Sequence, residues 1–172
     1  MNNIAISPEN NFFKYIDSKL IGRKSKQDEN ICDAIVFALR DIRCAFIPSY
    51  VKKIKSCAFA DCNFLRKVEF PDDSELTCIG QESFGTCKIK SMIIPKRVCK
   101  IKKEAFVCGE IESIEILSEN IFIAEECFNS SDLILISFPN AQKVFYMNVF
   151  IEYKENLTIF IACYGIIELF SS

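Results

Sequence analysis

Ten cysteines and no histidine set the chemistry open to this chain of 172 residues. Without histidine, Ser-His-Asp and Cys-His nucleophilic catalysis, His-containing zinc sites and histidine-based pH switching are excluded together. Cys62, Cys87 and Cys108 recur two or three places after a phenylalanine, a column that thiols could use for zinc or disulfides. No C-x-x-C pair accompanies it, and the reading taken is of reduced thiols packed inside as small apolar side chains. Glu82, Glu104 and Glu126 share another column, and stacked carboxylates offer the oxygen ligands that a hard cation such as calcium takes. No calcium-loop pattern surrounds them, so no metal is assigned. The five glycines form no phosphate-cradling loop. No catalytic residue and no cofactor are expected, and the chain is read as a non-enzyme.

Those columns exist because the sequence repeats. Phe59, Phe84, Phe106, Phe128 and Phe150 are spaced 25, 22, 22 and 22 residues apart. Five places before each stands Ile54, Ile79, Ile101, Ile123 and Phe145. Between these landmarks runs a second phrase, apolar-x-x-apolar-x-apolar, often closed by Pro: Leu65, Val68, Phe70, Pro71, then Ile89, Met92, Ile94, Pro95. It returns as Ile111, Ile114, Ile116 and as Leu133, Ile136, Phe138, Pro139. An earlier copy is Ile42, Ala45, Ile47, Pro48, and a later one Leu157, Phe160, Ala162.

A period of this length belongs to leucine-rich repeats. In an apolar-x-apolar strand, alternate side chains face opposite sides, so the phrase residues point inward and those between them outward. One strand cannot bury its inner side alone. Coils stacked about 4.8 Å apart pair in a parallel sheet and merge their columns into one core. Proline cannot donate to the ladder and marks the strand end. The Ile-x-x-x-Ala-Phe segment then turns back through a short second strand and a helical turn.

The phrases L-x-x-I-x-F-P, V-x-x-I and A-F-x-x-C together resemble the BspA-like leucine-rich repeat, a subtype of bacterial and protozoan surface proteins. IPSYVKKIKSCAFADCNFLRKVEFP, residues 47–71, and IIPKRVCKIKKEAFVC follow it closely, and IVFALRDI is similar to the segment that precedes such arrays in protozoan members. The resemblance covers residues 33–162. It implies a right-handed solenoid of five to six coils, with a parallel sheet on one face and short second strands and helical or 3-10 turns on the other. It also implies adhesion or protein binding, and it supplies no catalytic residue. Leu117-Ser118 replaces the Ile-Pro close, the thiol column lapses at Ser131, and V-x-x-I is lost at Asn120 and Gln142. The C-terminal coils are therefore read as degenerate.

Residues 1–41 are taken as an N-terminal cap with one or two strands, and 42–172 as the repeats. Ile54, Phe59, Leu65, Ile79, Phe84, Ile101, Phe106, Ile123, Phe128 and Phe150 are the expected core. A protein partner is expected on the outward strand residues and their immediate neighbours: Arg43, Phe46, Arg66, Lys67, Glu69, Lys90, Glu112 and Glu115. The alternative is a degenerate or truncated family member without binding of its own.

Charge is segregated as well. Residues 88–103 hold seven basic residues and no acid, and residues 104–132 hold eight acids and no base. The period sets Lys90 one coil from Glu112 and Lys103 one coil from Glu125, so cross-coil pairing is expected. The alternative is a basic coil that steers an acidic partner. A net charge of −2 gives no general reason to bind nucleic acid. No apolar run reaches the roughly 20 residues of a membrane-spanning helix, and MNNIAISPENN lacks the pattern of a secretory signal. Localisation is left between the cytoplasm, by these absences, and the cell surface, by the resemblance. LTIFIACYGII places apolar residues at successive strand positions, so self-association through the last coil is a further expectation.

Overall fold

Each repeat bends at fixed places because proline stops one strand and a crowded turn of small residues stops the next. The resulting chain path was obtained as a computed structural model and is described for residues 4–25, 31–129, 131–147, 160–163 and 166–170. In chain order the first strands are β1 (Phe13–Tyr15), β2 (Leu20–Arg23), β3 (Ala34–Ala38), β4 (Cys44–Phe46), β5 (Lys53–Ile54), β6 (Lys67–Glu69) and β7 (Cys78–Ile79). They are followed by β8 (Ser91–Ile94), β9 (Lys100–Ile101), β10 (Ser113–Ile116), β11 (Asn120–Ile123), β12 (Leu135–Phe138), β13 (Lys143–Met147), β14 (Phe160–Cys163) and β15 (Ile166–Phe170).

The strands stack as a solenoid, and its continuous sheet runs along the second-strand column. That sheet has nine strands in the order β1-β2-β3-β5-β7-β9-β11-β13-β15. Its ladder is parallel from β3 onward and aligns Ile35, Ile54, Ile79, Ile101 and Ile123, all buried. β1 and β2 extend it antiparallel at the N-terminal end.

The strands of the proline-closing phrase, which lacks its proline after β10 and β14, by contrast form two separate sheets: β4 with β6, and β8-β10-β12-β14. β6 and β8 are neighbours but do not pair. The coil between them is the long one, with Phe59 and Phe84 separated by 25 residues against 22 in the coils that follow.

Between the sheets run the phenylalanines. Phe59, Phe84, Phe106 and Phe128 are buried and stacked, with successive ring centroids 5.0, 5.5 and 5.5 Å apart and planes within 10–15°. Leu65 is also fully buried, as expected. Phe150 lies outside the described residues. The position before each ring holds Ala58, Ser83, Ala105 or Cys127, each without exposed surface, because the turn leaves room for nothing larger.

Where a helical turn is expected, the chain makes consecutive i-to-i+3 turns, as in Ala60 N–H to Cys57 O and Cys62 N–H to Phe59 O, and no helix occurs among the described residues. Alternate amides of this run donate instead to the next coil: Cys57 to Gln81, Phe59 to Ser83 and Asp61 to Gly85. Aiming them requires left-handed backbone two places either side of the ring, and non-glycine residues adopt it. Cys57, Glu82, Glu104 and Glu126 stand before it with φ of 51–58°, and Asp61, Thr86 and Cys108 after it with φ of 51–59°. Each such residue is held against a steric preference of about 1–2 kcal/mol, offset by the bonds that stitch the coils.

Two alignments slip by one residue. Tyr146, not Phe145, stands opposite Ile123, and Phe145 stands opposite Phe122. Phe160 pairs with Leu135 and Ile161 with Ile136, so the last phrase sits one place later than Leu157, Phe160, Ala162 would put it. The V-x-x-I loss at Asn120 and Gln142 is absorbed by longer strands, in which Ile121 and Val144 supply the buried side chains.

Candidate functional site

The outward positions of the proline-closed strands form one face. Alternation along β4, β6 and β8 buries Ala45, Val68 and Met92 and exposes the residues on either side. On it lie Phe46 in β4, Lys67 and Glu69 in β6, and Glu115 in β10, with Arg43, Arg66, Lys90 and Glu112 just ahead of the strands.

Most of the charge on this face is spent internally. Lys67 pairs with Glu69 on its own strand at 2.7 Å. Lys90 pairs with Glu112 at 2.7 Å and Glu110 at 3.7 Å, and Lys88 with Glu110 at 2.8 Å. The hydrogen bond to Glu112 raises the Lys90 ammonium above its ordinary pKa, and the bond from Lys88 lowers the Glu110 carboxyl. Lys103 bridges to Glu125 at 3.5 Å and Glu126 at 2.8 Å. The expected cross-coil pairs are thus present, and Lys67, Lys88 and Lys90 have carboxylate partners, while Arg66 donates to the Asn63 carbonyl and Arg43 lies over Phe64. Such exposed pairs add little stability, but they remove the free charge that steering needs.

What the face offers is apolar surface. Phe46 is 58% exposed, Ile93 56% and Leu135 40%, and Ile134 and Phe64 stand beside them. Phe64, which the pattern of the repeat does not single out, lies under the Arg43 guanidinium at 5.7 Å. Together with Asp17, Ser18, Lys19, Asp41, Ile42 and Cys44 these two line an open cleft of about 600 Å³ beside β4. A Lys19–Asp41 pair at 2.9 Å sits in its wall.

The glutamate column does not converge. Glu126 is held by Lys103, and Glu82 accepts a hydrogen bond from Gln81. No group of three or more His, Cys, Asp or Glu able to hold a metal occurs among the described residues.

The thiol column divides by a single residue of offset. Cys62 and Cys87, three places after their rings, are buried, while Cys108, two places after, is exposed on left-handed backbone. Gly109 takes the inward place in that coil, against the Cys87 and Phe84 carbonyls. Cys32, Cys44, Cys57, Cys62, Cys78, Cys87, Cys99, Cys108 and Cys127 are free, and of these Cys32, Cys62, Cys87 and Cys127 are buried, which corrects the expectation that packing accounts for the thiols generally. Burial pushes the Cys87 thiol up to about 12 and raises Cys62 and Cys127 as well, with the Arg40 hydrogen bond opposing the shift at Cys62. At neutral pH a thiol-specific reagent is therefore expected to label Cys44, Cys57, Cys99 and Cys108 in the native protein, and the four buried cysteines only after unfolding. Peptide mapping of the alkylated protein reads this directly, and rapid native labelling of Cys87 contradicts it.

Among the described residues no helix is long and apolar enough to cross a membrane. A family model described as a BspA type leucine rich repeat region matches residues 31–158 in six copies. Neither the curated proteins nor the solved structures give a match.

Proposed function

The chain belongs to the BspA-type leucine-rich-repeat family, and on that premise we propose that it is a non-enzymatic docking module of adhesion type, which takes a protein partner on the outward face of β4, β6, β8, β10 and β12. The repeats are those of an interaction module. The observation that carries the choice of face is its exposed large apolar side chains, Phe46 on β4, Ile93 on β8 and Leu135 on β12, at strand positions that solvated repeats fill with polar residues. Aromatic and aliphatic anchors of this kind, rimmed by paired charges, supply most of the energy of protein interfaces. Arg43 and Phe64 close one end, where the cleft beside β4 can accept a projecting side chain. Arg66, Lys67, Glu69, Lys90, Glu112 and Glu115 form the polar rim that sets orientation and specificity.

Affinity capture from surface and lysate fractions tests the assignment when the intact chain is compared with Phe46→Ser/Ile93→Ser. Loss of the two most exposed apolar anchors of the face is expected to weaken capture of the specific partner by about tenfold or more. A Lys53→Gln/Lys100→Gln variant, altered on another surface, is expected to retain it. Equal recovery with the Phe46→Ser/Ile93→Ser variant removes the site from this face.

A further inference from the structure

The nine-stranded sheet has an outer face of different character. Its inward isoleucines leave Lys53, Cys78, Lys100, Phe122 and Phe145 in one transverse row, continued past Ala34 to Arg23. Two residues further along the strands stand Lys55, Gly80, Lys102 and Ala124, tied to the same ladder by the Lys55, Lys102 and Ala124 amides. Cations therefore occupy alternate coils in both rows, with only Cys78 and Gly80 between them.

Arg23, Lys53, Lys55 and Lys102 enter no ion pair among the described residues, and Lys100 lies over the Phe122 ring at 5.1 Å. Burial, followed by the positive charges of Arg23, Lys53 and Lys102, lowers the Lys55 pKa. In a chain of net charge −2, this is a local segregation of charge and not a general basicity.

Strands about 4.8 Å apart put like cations on alternate coils about 9.6 Å apart. A polyproline-type peptide rises about 3.1 Å per residue with three residues per turn, so every third side chain returns to one side after about 9.3 Å. The two repeats match. A nucleic-acid strand carries a phosphate about every 3.4 Å and would leave most of its charge unanswered here. Lysines, which act as point charges without the bidentate fork of arginine, suit single carboxylates.

We propose that the outer face of the nine-stranded sheet is a second docking surface, whose occupant is an extended acidic protein segment with Glu or Asp at every third position. It lies across the strands over Lys53, Lys55, Lys100 and Lys102.

Fluorescence anisotropy with the full chain and a labelled peptide of about six Glu-Pro-Ala repeats tests this. A peptide of equal composition with its glutamates in one block, heparin and a single-stranded oligonucleotide serve as competitors. The spaced peptide is expected to bind more tightly than the block peptide, with affinity falling as salt rises. Lys53→Gln/Lys100→Gln is expected to weaken binding by about tenfold, and Lys67→Gln/Lys90→Gln, on the apolar docking face, to leave it unchanged. Circular dichroism confirms that both variants fold. Absence of binding by the spaced peptide, equal weakening by the two variants, or tighter binding of heparin or the oligonucleotide overturns the proposal.

Discussion

Replacing Phe84 with alanine is expected to remove about 3–5 kcal/mol of stability. Its ring has 1% exposure and is stacked on both sides, on Phe59 at 5.0 Å and on Phe106 at 5.5 Å. Truncation therefore leaves a cavity bounded by two rings whose stacking partners are gone, and the tight turns on either side cannot close it. Coils of a solenoid touch only their neighbours, so its stability is a chain of interfaces. A gap at Phe84 weakens two successive interfaces in the middle of the stack. Against a usual total of about 5–15 kcal/mol for a folded domain, the loss is large. A thermal melt should show the midpoint fall by about 6–20 °C, with the transition broadening as the two halves uncouple. Phe84→Leu, which keeps most of the volume, should fall much less. A midpoint for Phe84→Ala within a few degrees of the parent would falsify the continuous ring stack as the core of the protein.

The ring stack was legible in the sequence because a solenoid ties position in space to position in the period. Phe59, Phe84, Phe106 and Phe128 had to coincide once the coil length was known, and the same arithmetic anticipated Lys90–Glu112 and Lys103–Glu125. It failed where alternation failed. Lys143-Val-Phe-Tyr-Met and the segment around Phe160 are apolar at successive positions, so either register buries hydrophobic side chains and the pattern does not choose between them. The left-handed turns were hidden for another reason: glutamate, cysteine and threonine occupy them, and nothing in those residue types advertises positive φ.

The basic run at 88–103 shows the same limit for function. In the chain it is one patch, but the strand turn between Ile94 and Lys100 sends its parts to different surfaces. Lys88 and Lys90 meet carboxylates of the next coil beside the outward face of β8 and β10. Lys100 and Lys102 join Lys53 and Lys55, nearly fifty positions earlier in the sequence, on the other sheet. Charge segregation was visible in the sequence, whereas its division between two faces required the ladder register.

Gly80→Ala is expected to cost about 3 kcal/mol, the upper end of the range for forcing atoms into a packed site. A Cβ at Gly80 would lie 2.5 Å from the Lys55 carbonyl carbon, 2.6 Å from the Ser56 nitrogen and 2.8 Å from the Ile54 oxygen. All three are backbone atoms of the preceding coil, which cannot swing aside as a side chain would. Lys55, Lys102 and Ala124 take the same place in the other coils and carry a Cβ there, so the requirement belongs to this one junction. The ring spacing points to its cause: Phe59 and Phe84 are 5.0 Å apart, and the next two pairs are 5.5 Å apart. These are the coils joined by the 25-residue repeat, where β6 and β8 do not pair and the proline-closed strands do not share a continuous ladder. A close approach at Gly80 holds β5 to β7 on the opposite side. Alanine there has to push apart the two coils on the side where the β5–β7 ladder joins them, and no β6–β8 ladder on the other side compensates. Lys102→Ala, at the matching place one coil later, is expected to shift stability by no more than about 0.5 kcal/mol. Denaturant titration of the two variants measures the difference, and equal midpoints for Gly80→Ala and the parent protein contradict the close approach.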